Sequence, residues 1–268
     1  MDRIGIESLT AVSLTPLELV DLAAELDCGF IGISLSPFAV ALEGIAQWSL
    51  RDPATRREFK MAMADHGLRL GLGQGFGIVP GKDVAEKEVD LDILRELGAA
   101  TICGVSLDTD LGRSLDQLAK LADMAGKVGI EVALEFVPTC AIPDLPSALD
   151  ALTRINASNM RLLIDTMHLV RSGGGAADLA ALPSDLIGYV QISDVPLLPT
   201  MPVYLEEALL DRLVPGTGEL PLADILAALP RDVPIGLEVP MSQRALSAGD
   251  ARRHVRACVE GVRRLLPA

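Results

Sequence analysis

Short apolar runs alternate with longer amphipathic ones along the whole 268-residue chain. The apolar runs are brief and often β-branched, which predicts strands buried on both faces. They fall at Arg3–Ile6, Phe30–Ser34, Arg69–Gly73, Thr101–Val105, Glu131–Phe136, Arg161–Ile164, Ile187–Ser193 and Pro234–Val239. The stretches between them carry helix caps. Thr15-Pro16 opens one helix, with Glu18 as capping-box partner. Asp52-Pro53 opens a second, which ends at His66-Gly67. Ser114 is the expected start of a third, ending at Val128-Gly129, and Ser247 of the last, running to Leu266-Pro267. Eight strand–helix repeats with no linker, charge block or low-complexity tract predict one domain over residues 1–268, an α/β fold of the (β/α)8 TIM-barrel type.

Catalytic groups of such barrels sit where the strands end. The first strand is not followed by a Gly-x-Gly-x-x-Gly turn, which lowers a dinucleotide-binding reading. The glycine-rich Gly71–Gly77 is read as backbone packing at the rim. Four polar residues stand in runs that are otherwise apolar: Glu135, Asp165, Gln191 and Glu238. Successive members are 30, 26 and 47 residues apart, the first two intervals matching one β/α unit. Three carboxylates converging on one barrel mouth repel each other unless a cation joins them.

Composition narrows the chemistry. The net charge of −14 disfavours a nucleic-acid partner and an anionic membrane surface. Three histidines (His66, His168, His254) are too few for a multi-zinc imidazole site. Aromatic residues, at 3%, are too scarce for base-stacking platforms. Cys28, Cys103, Cys140 and Cys258 form no CxxC pair and read as buried free thiols. The N-terminus carries no apolar run of signal length, so a cytoplasmic protein is expected. A mean hydropathy of +0.37 points to a homodimer that covers part of the outer helical surface.

Leu134-Glu135, Asp165-Thr-Met-His168, Gln191-Ile-Ser-Asp194, Pro215-Gly-Thr-Gly218 and Leu237-Glu238 resemble the motifs of the sugar phosphate isomerase/epimerase superfamily, the xylose isomerase-like TIM barrels. The resemblance implies that Glu135, Asp165, Gln191 and Glu238 are ligands of one divalent metal ion. Many members have His where this chain has Gln191; members similar to hydroxypyruvate isomerase have Gln. Four oxygen donors favour Mn²⁺ or Mg²⁺. The resemblance also implies Glu135 and Glu238 as acid/base pair and His168 as a donor to a substrate oxygen. The implied activity is a metal-dependent isomerase or epimerase passing a small, sugar-like hydroxy-carbonyl substrate through an enediolate.

Arg171, with Ser172–Gly175, and Arg212, before Pro215–Gly218, are candidate substrate-binding groups with a phosphate role open to them. Phe38, Trp48 and Phe76 are candidates for an apolar wall, and His66 and His254 for solvated outer helices. Two departures stand out. Epimerase-like members carry an Arg six residues after the seventh-strand ligand, where this chain has Leu197. Dehydroshikimate dehydratase-like members carry a His two residues after the first Glu, where this chain has Val137. A free hexose is therefore a poor expectation. A metal-dependent dehydratase or lyase of the same fold, and a non-catalytic metabolite-binding barrel, stay open as alternatives.

Overall fold

The computed structural model describes residues 3–38, 45–241 and 247–266. Eight parallel strands close into a barrel in chain order: β1 Ile4–Glu7, β2 Phe30–Ile33, β3 Arg69–Ile78, β4 Thr101–Ser106, β5 Glu131–Glu135, β6 Met160–Asp165, β7 Ile187–Ile192 and β8 Ile235–Leu237. Pairing of β1 with β8 closes the ring through Gly5↔Gly236 and Ile6↔Leu237. The outer layer comprises α1 Pro16–Glu25, α2 Pro53–Asp65, α3 Glu88–Glu96, α4 Leu111–Lys127, α5 Leu145–Ile155, α6 Thr166–Arg171, α7 Ala176–Ala180, α8 Tyr204–Leu210, α9 Leu222–Ala228 and α10 Ala248–Leu265. The fold is a single (β/α)8 TIM barrel, and each expected strand lies within a residue or two of its predicted bounds, apart from β3. No helix of the described residues is long and apolar enough to cross a membrane.

Local chemistry sets most helix starts. Thr15 and Glu18 close the capping box reciprocally at α1. Asp52 caps α2 through the Thr55 amide at 2.8 Å, and Ser247 caps α10 through the Asp250 amide at 3.1 Å. The helix expected to begin at Ser114 instead begins one turn earlier. Asp110 accepts from the Arg113 amide at 3.0 Å, and the buried Ser114 hydroxyl bonds back to the Asp110 carbonyl at 2.7 Å. A carboxylate in cap position took the role assigned to the hydroxyl. His66 caps the C-terminal end of α2 near Asp21, partly exposed as expected. His254 is different: it is buried and bonds the Val239 carbonyl at 2.7 Å. A carbonyl only accepts, so Nε2 carries the proton, and burial holds the imidazole neutral.

The barrel interior follows the two-residue period of strands. Phe30, Leu72, Cys103, Ala133, Leu163 and Tyr189 fill one inward level from six successive strands. Phe30 needs space that only glycine leaves. A Cβ on Gly5 would stand 2.1 Å, and one on Gly71 2.3 Å, from its ring atoms. Backbone packing thus accounts for Gly71, although the segment lies within β3 and not beyond it. That strand is longer than predicted and bulges between Gly73 and Phe76.

Gly5→Ala is expected to overpack the barrel centre and cost about 1–3 kcal/mol. Gly249→Ala, where the nearest atom to a new Cβ is 3.7 Å away, is expected to leave stability unchanged or raise it by up to about 1 kcal/mol. Urea midpoints of the two variants check both.

Candidate active site at the C-terminal barrel mouth

Two residues beyond each interior position the strands present a second inward level. Gly5 leads to Glu7, Leu72 to Gln74, Ala133 to Glu135, Leu163 to Asp165, Tyr189 to Gln191 and Gly236 to Glu238. The period that fills the core with hydrocarbon therefore also lifts a ring of polar groups to the C-terminal mouth, the catalytic face of this fold. Asp165 and Gln191 are register partners, so they stand at equal height.

The ring is buried and tightly bonded. Gln191 donates through Nε2 to Glu7 Oε2 at 2.8 Å and to Glu238 Oε1 at 2.9 Å. Gln74 Nε2 donates to the same two oxygens at 2.7 and 3.2 Å. Arg212, 2% exposed, pairs with Asp165 Oδ2 and lies 3.4 Å from Glu238 Oε2. Its Nε donates to the Ala208 carbonyl at 2.7 Å. The Cys103 thiol donates to Glu135 Oε2 at 3.2 Å, and His168 Nε2 faces Glu135 Oε1 at 3.4 Å. The His168 amide donates to Asp165 Oδ1 at 2.9 Å, making Asp165 the cap of α6, while Nδ1 contacts the Tyr204 hydroxyl at 2.7 Å.

Among the described residues, four carboxylates (Glu7, Glu135, Asp165, Glu238) thus share the mouth with one guanidinium. Their ionisation reflects the imbalance. Burial, reinforced by Glu238, pushes Glu7 well above the usual carboxylate range. Burial raises Glu238 to about 7, against the pull of Arg212. Burial also opposes ionisation of Asp165, but Arg212 and His168 hold its carboxyl below the ordinary range. Burial and then Glu135 keep Cys103 a thiol.

The donor set fits a cation. The amide oxygens of Gln74 and Gln191 are buried acceptors with no hydrogen-bond partner, and an unpaired acceptor beside surplus carboxylates is what a cation satisfies. Glu135, Asp165 and His168 offer ligand atoms that all lie within 4.8 Å of one another. That trio includes an imidazole, whereas the sequence pointed to oxygen donors only.

Of the residues singled out in the sequence, Glu135, His168, Gln191, Arg212 and Glu238 line one cavity of about 430 Å³, with Asp165 held directly behind through Arg212 and His168. Arg171 stands apart from it. Its Nη2 donates to the Pro196 and Leu198 carbonyls and to Glu207 at 2.9 Å, which anchors α8, while Nε and Nη1 are buried without a hydrogen-bond partner among the described residues. The amides of Gly216 and Gly218 both donate to Asp194 Oδ2 at 2.9 Å, and that of Leu220 to Oδ1 at 3.1 Å. An internal carboxylate fills the loop where a phosphate was considered, and a Cβ on Gly218 would stand 2.4 Å from it. Phe38 and Phe76 line the cavity; Trp48 packs on the outer core and a separate small crevice.

Sequence reasoning missed Glu7, Gln74 and Tyr204. Glu7 carried the same signal as the others, a carboxylate ending an apolar run, but the first strand was closed one residue early at Ile6.

A family model for the xylose isomerase-like TIM barrel matches residues 20–258. The chain belongs to that family. 3-Dehydroshikimate dehydratase of Pseudomonas aeruginosa is 30% identical over 224 residues, which are 78% of this chain and 34% of that protein. The chain thus spans about a third of the length of this relative. Inosose isomerase of Bacillus subtilis is 30% identical over 118 residues, 43% of this chain and 41% of that one. Among solved structures, IolI protein with a bound zinc atom superposes over 100% of both chains with a TM-score of 0.77 at 19% identity, a likeness of fold. The named relatives of this xylose isomerase-like barrel are enzymes.

The raised Glu238 fixes the sign of a pH effect. A carboxyl whose folded pKa exceeds its ordinary 4.5 favours the folded state below that value, and the advantage is lost as pH rises through about 7. Glu7 acts in the same sense, while Asp165 acts oppositely and only in acid. In chelator, the melting temperature is expected to fall between pH 5 and 8, and Glu238→Gln to flatten that fall. Divalent metal is expected to restore the loss at pH 8.

Proposed function

We propose that the chain is a divalent-metal-dependent isomerase or epimerase of a small hydroxy-carbonyl compound. The carrying observation is the pair Glu135 and Glu238 on separate strands of one buried mouth, with unpaired amide acceptors and excess negative charge between them. Glu135, Asp165, Gln191 and Glu238 are the residues that would hold the ion. Hard oxygen donors favour Mn²⁺ or Mg²⁺. Such an ion supplies Lewis-acid polarisation of a carbonyl, worth several kcal/mol.

The remaining chemistry belongs to side chains. One of Glu135 and Glu238 removes the proton from the carbon beside the carbonyl, leaving an enediolate, and the other returns a proton. Return to the opposite face of the same carbon is epimerisation; return to the neighbouring carbon shifts the carbonyl. His168 donates to a substrate oxygen in this reading, which its contact with the Tyr204 hydroxyl on the other ring nitrogen supports. Arg212 balances the negative charge that builds up during proton removal. The buried walls keep bulk water off the enediolate, while the acid/base carboxyls exchange their proton with solvent before it is returned.

A dehydratase reading rests on the Pseudomonas aeruginosa relative, whose match covers most of this chain. It shares the first proton removal and differs only in loss of a β-hydroxyl. Product analysis separates the two: dehydration gives an absorbing enone and a loss of mass, isomerisation gives deuterium uptake from D₂O without loss.

Glu135→Gln and Glu238→Gln are each expected to lower turnover by about 10² to 10⁴. Substrate-dependent deuterium wash-in followed by mass spectrometry checks this, and full turnover in both variants would contradict the acid/base assignment.

A further inference from the structure

The cavity has two unlike halves. Its floor is the polar ring, where His168, Gln191, Arg212 and Glu238 are all less than a tenth exposed. Its walls are hydrocarbon. Leu9 and Val137 rise from the ends of β1 and β5, Phe76 and Val105 from the β3–β4 side, and Leu205 and Leu209 from α8. Toward the opening, Val79, Leu107 and Leu209 remain 38–43% exposed. Among the described lining residues, the one charged side chain outside the floor is Lys87, and Asp90 pairs with it at 3.5 Å.

The α8 wall is built on purpose-placed contacts. Residues 197–211 leave the barrel between Gln191 and the Asp194-filled loop. Arg171 clamps this excursion by Glu207, a buried pair, and by two carbonyls. The same helix sets Tyr204 on His168 and presents Leu205 and Leu209 to the cavity. At its end Arg212 turns into the floor. One short segment therefore completes the polar floor and covers it with leucine.

We propose that the substrate is an α-hydroxy ketone whose body, beyond the reacting carbons, is hydrocarbon and not polyol. The assignment rests on the enolising reading above. A free sugar carries a hydroxyl on every further carbon. Against these described side chains each such hydroxyl would give up water partners and gain no side-chain partner. An alkyl or aryl body loses nothing there and is driven in by burial of its own surface. The polar floor takes the hydroxy-carbonyl head in either case, so the walls alone discriminate.

The test uses substrates with one head group. 1-Hydroxybutan-2-one, 1-hydroxyhexan-2-one and L-erythrulose all carry a hydroxyl on carbon 1 and a carbonyl on carbon 2. They differ only in the body. Exchange of the carbon-1 hydrogen in D₂O is followed by NMR with the Mn²⁺-loaded protein. The expected kcat/KM rises about fourfold for each added methylene, the ratio set by burying a CH₂. Erythrulose is expected at least tenfold below hydroxybutanone. In Leu209→Gln and Leu107→Gln the hexanone-to-butanone ratio is expected to fall at least threefold. Faster exchange of erythrulose than of either ketone would overturn the hydrocarbon assignment and leave the enolising reading standing. An unchanged ratio in both variants would also overturn it, because the body would then lie elsewhere. Exchange of none of the three would overturn both readings.

Discussion

Among the described residues, four carboxylates gathered at one barrel mouth face a single guanidinium and cannot all ionise against it, and the surrounding structure is arranged around that conflict. Part of the charge is removed by protonation: Glu7 and Glu238 are pushed up by burial. Part is neutralised by Arg212, which holds Asp165 ionised. Part is shared by the amides of Gln74 and Gln191, whose N–H groups face carboxylates while their oxygens remain unpaired. A divalent ion would settle what is left, and the proposed metal site rests on that electrostatic imbalance.

The barrel imposes this crowding. In a closed sheet the inward side chains of all strands meet in levels. The lower level is filled with Phe30, Tyr189 and aliphatic groups. The level above it is polar on six strands. Hydrocarbon beneath removes water from the ring, and that desolvation is the largest cause of each raised carboxyl pKa. The apolar walls above continue the same low-dielectric environment toward solvent, so the polar ring is a layer between two hydrocarbon layers.

Much of this was legible in the chain. Short β-branched runs alternating with capped amphipathic stretches give the barrel, and polar residues ending apolar runs gave four members of the ring. Glu7 escaped through an error of one residue in a strand end. Gln74 lies in a glycine-rich run whose spacing signals backbone packing and hides the one polar side chain in it. Arg212 shows a different limit. The sequence places it before Pro215–Gly218 with a phosphate role open to it, and only the tertiary contacts with Asp165 and Glu238 show that its guanidinium turns into the mouth. His254 was placed in solvent by its helix, and only the tertiary contact with the Val239 carbonyl reveals its burial.

The central claim, one divalent ion held at the mouth by residues of this ring, is tested most directly by anomalous scattering from crystals grown with Mn²⁺ at pH 8. The account predicts a single strong peak between Glu135, Asp165, Gln191 and Glu238, lost on Asp165→Asn. A mouth free of anomalous density, with the Arg212 guanidinium still spanning Asp165 and Glu238 at saturating Mn²⁺, would contradict it.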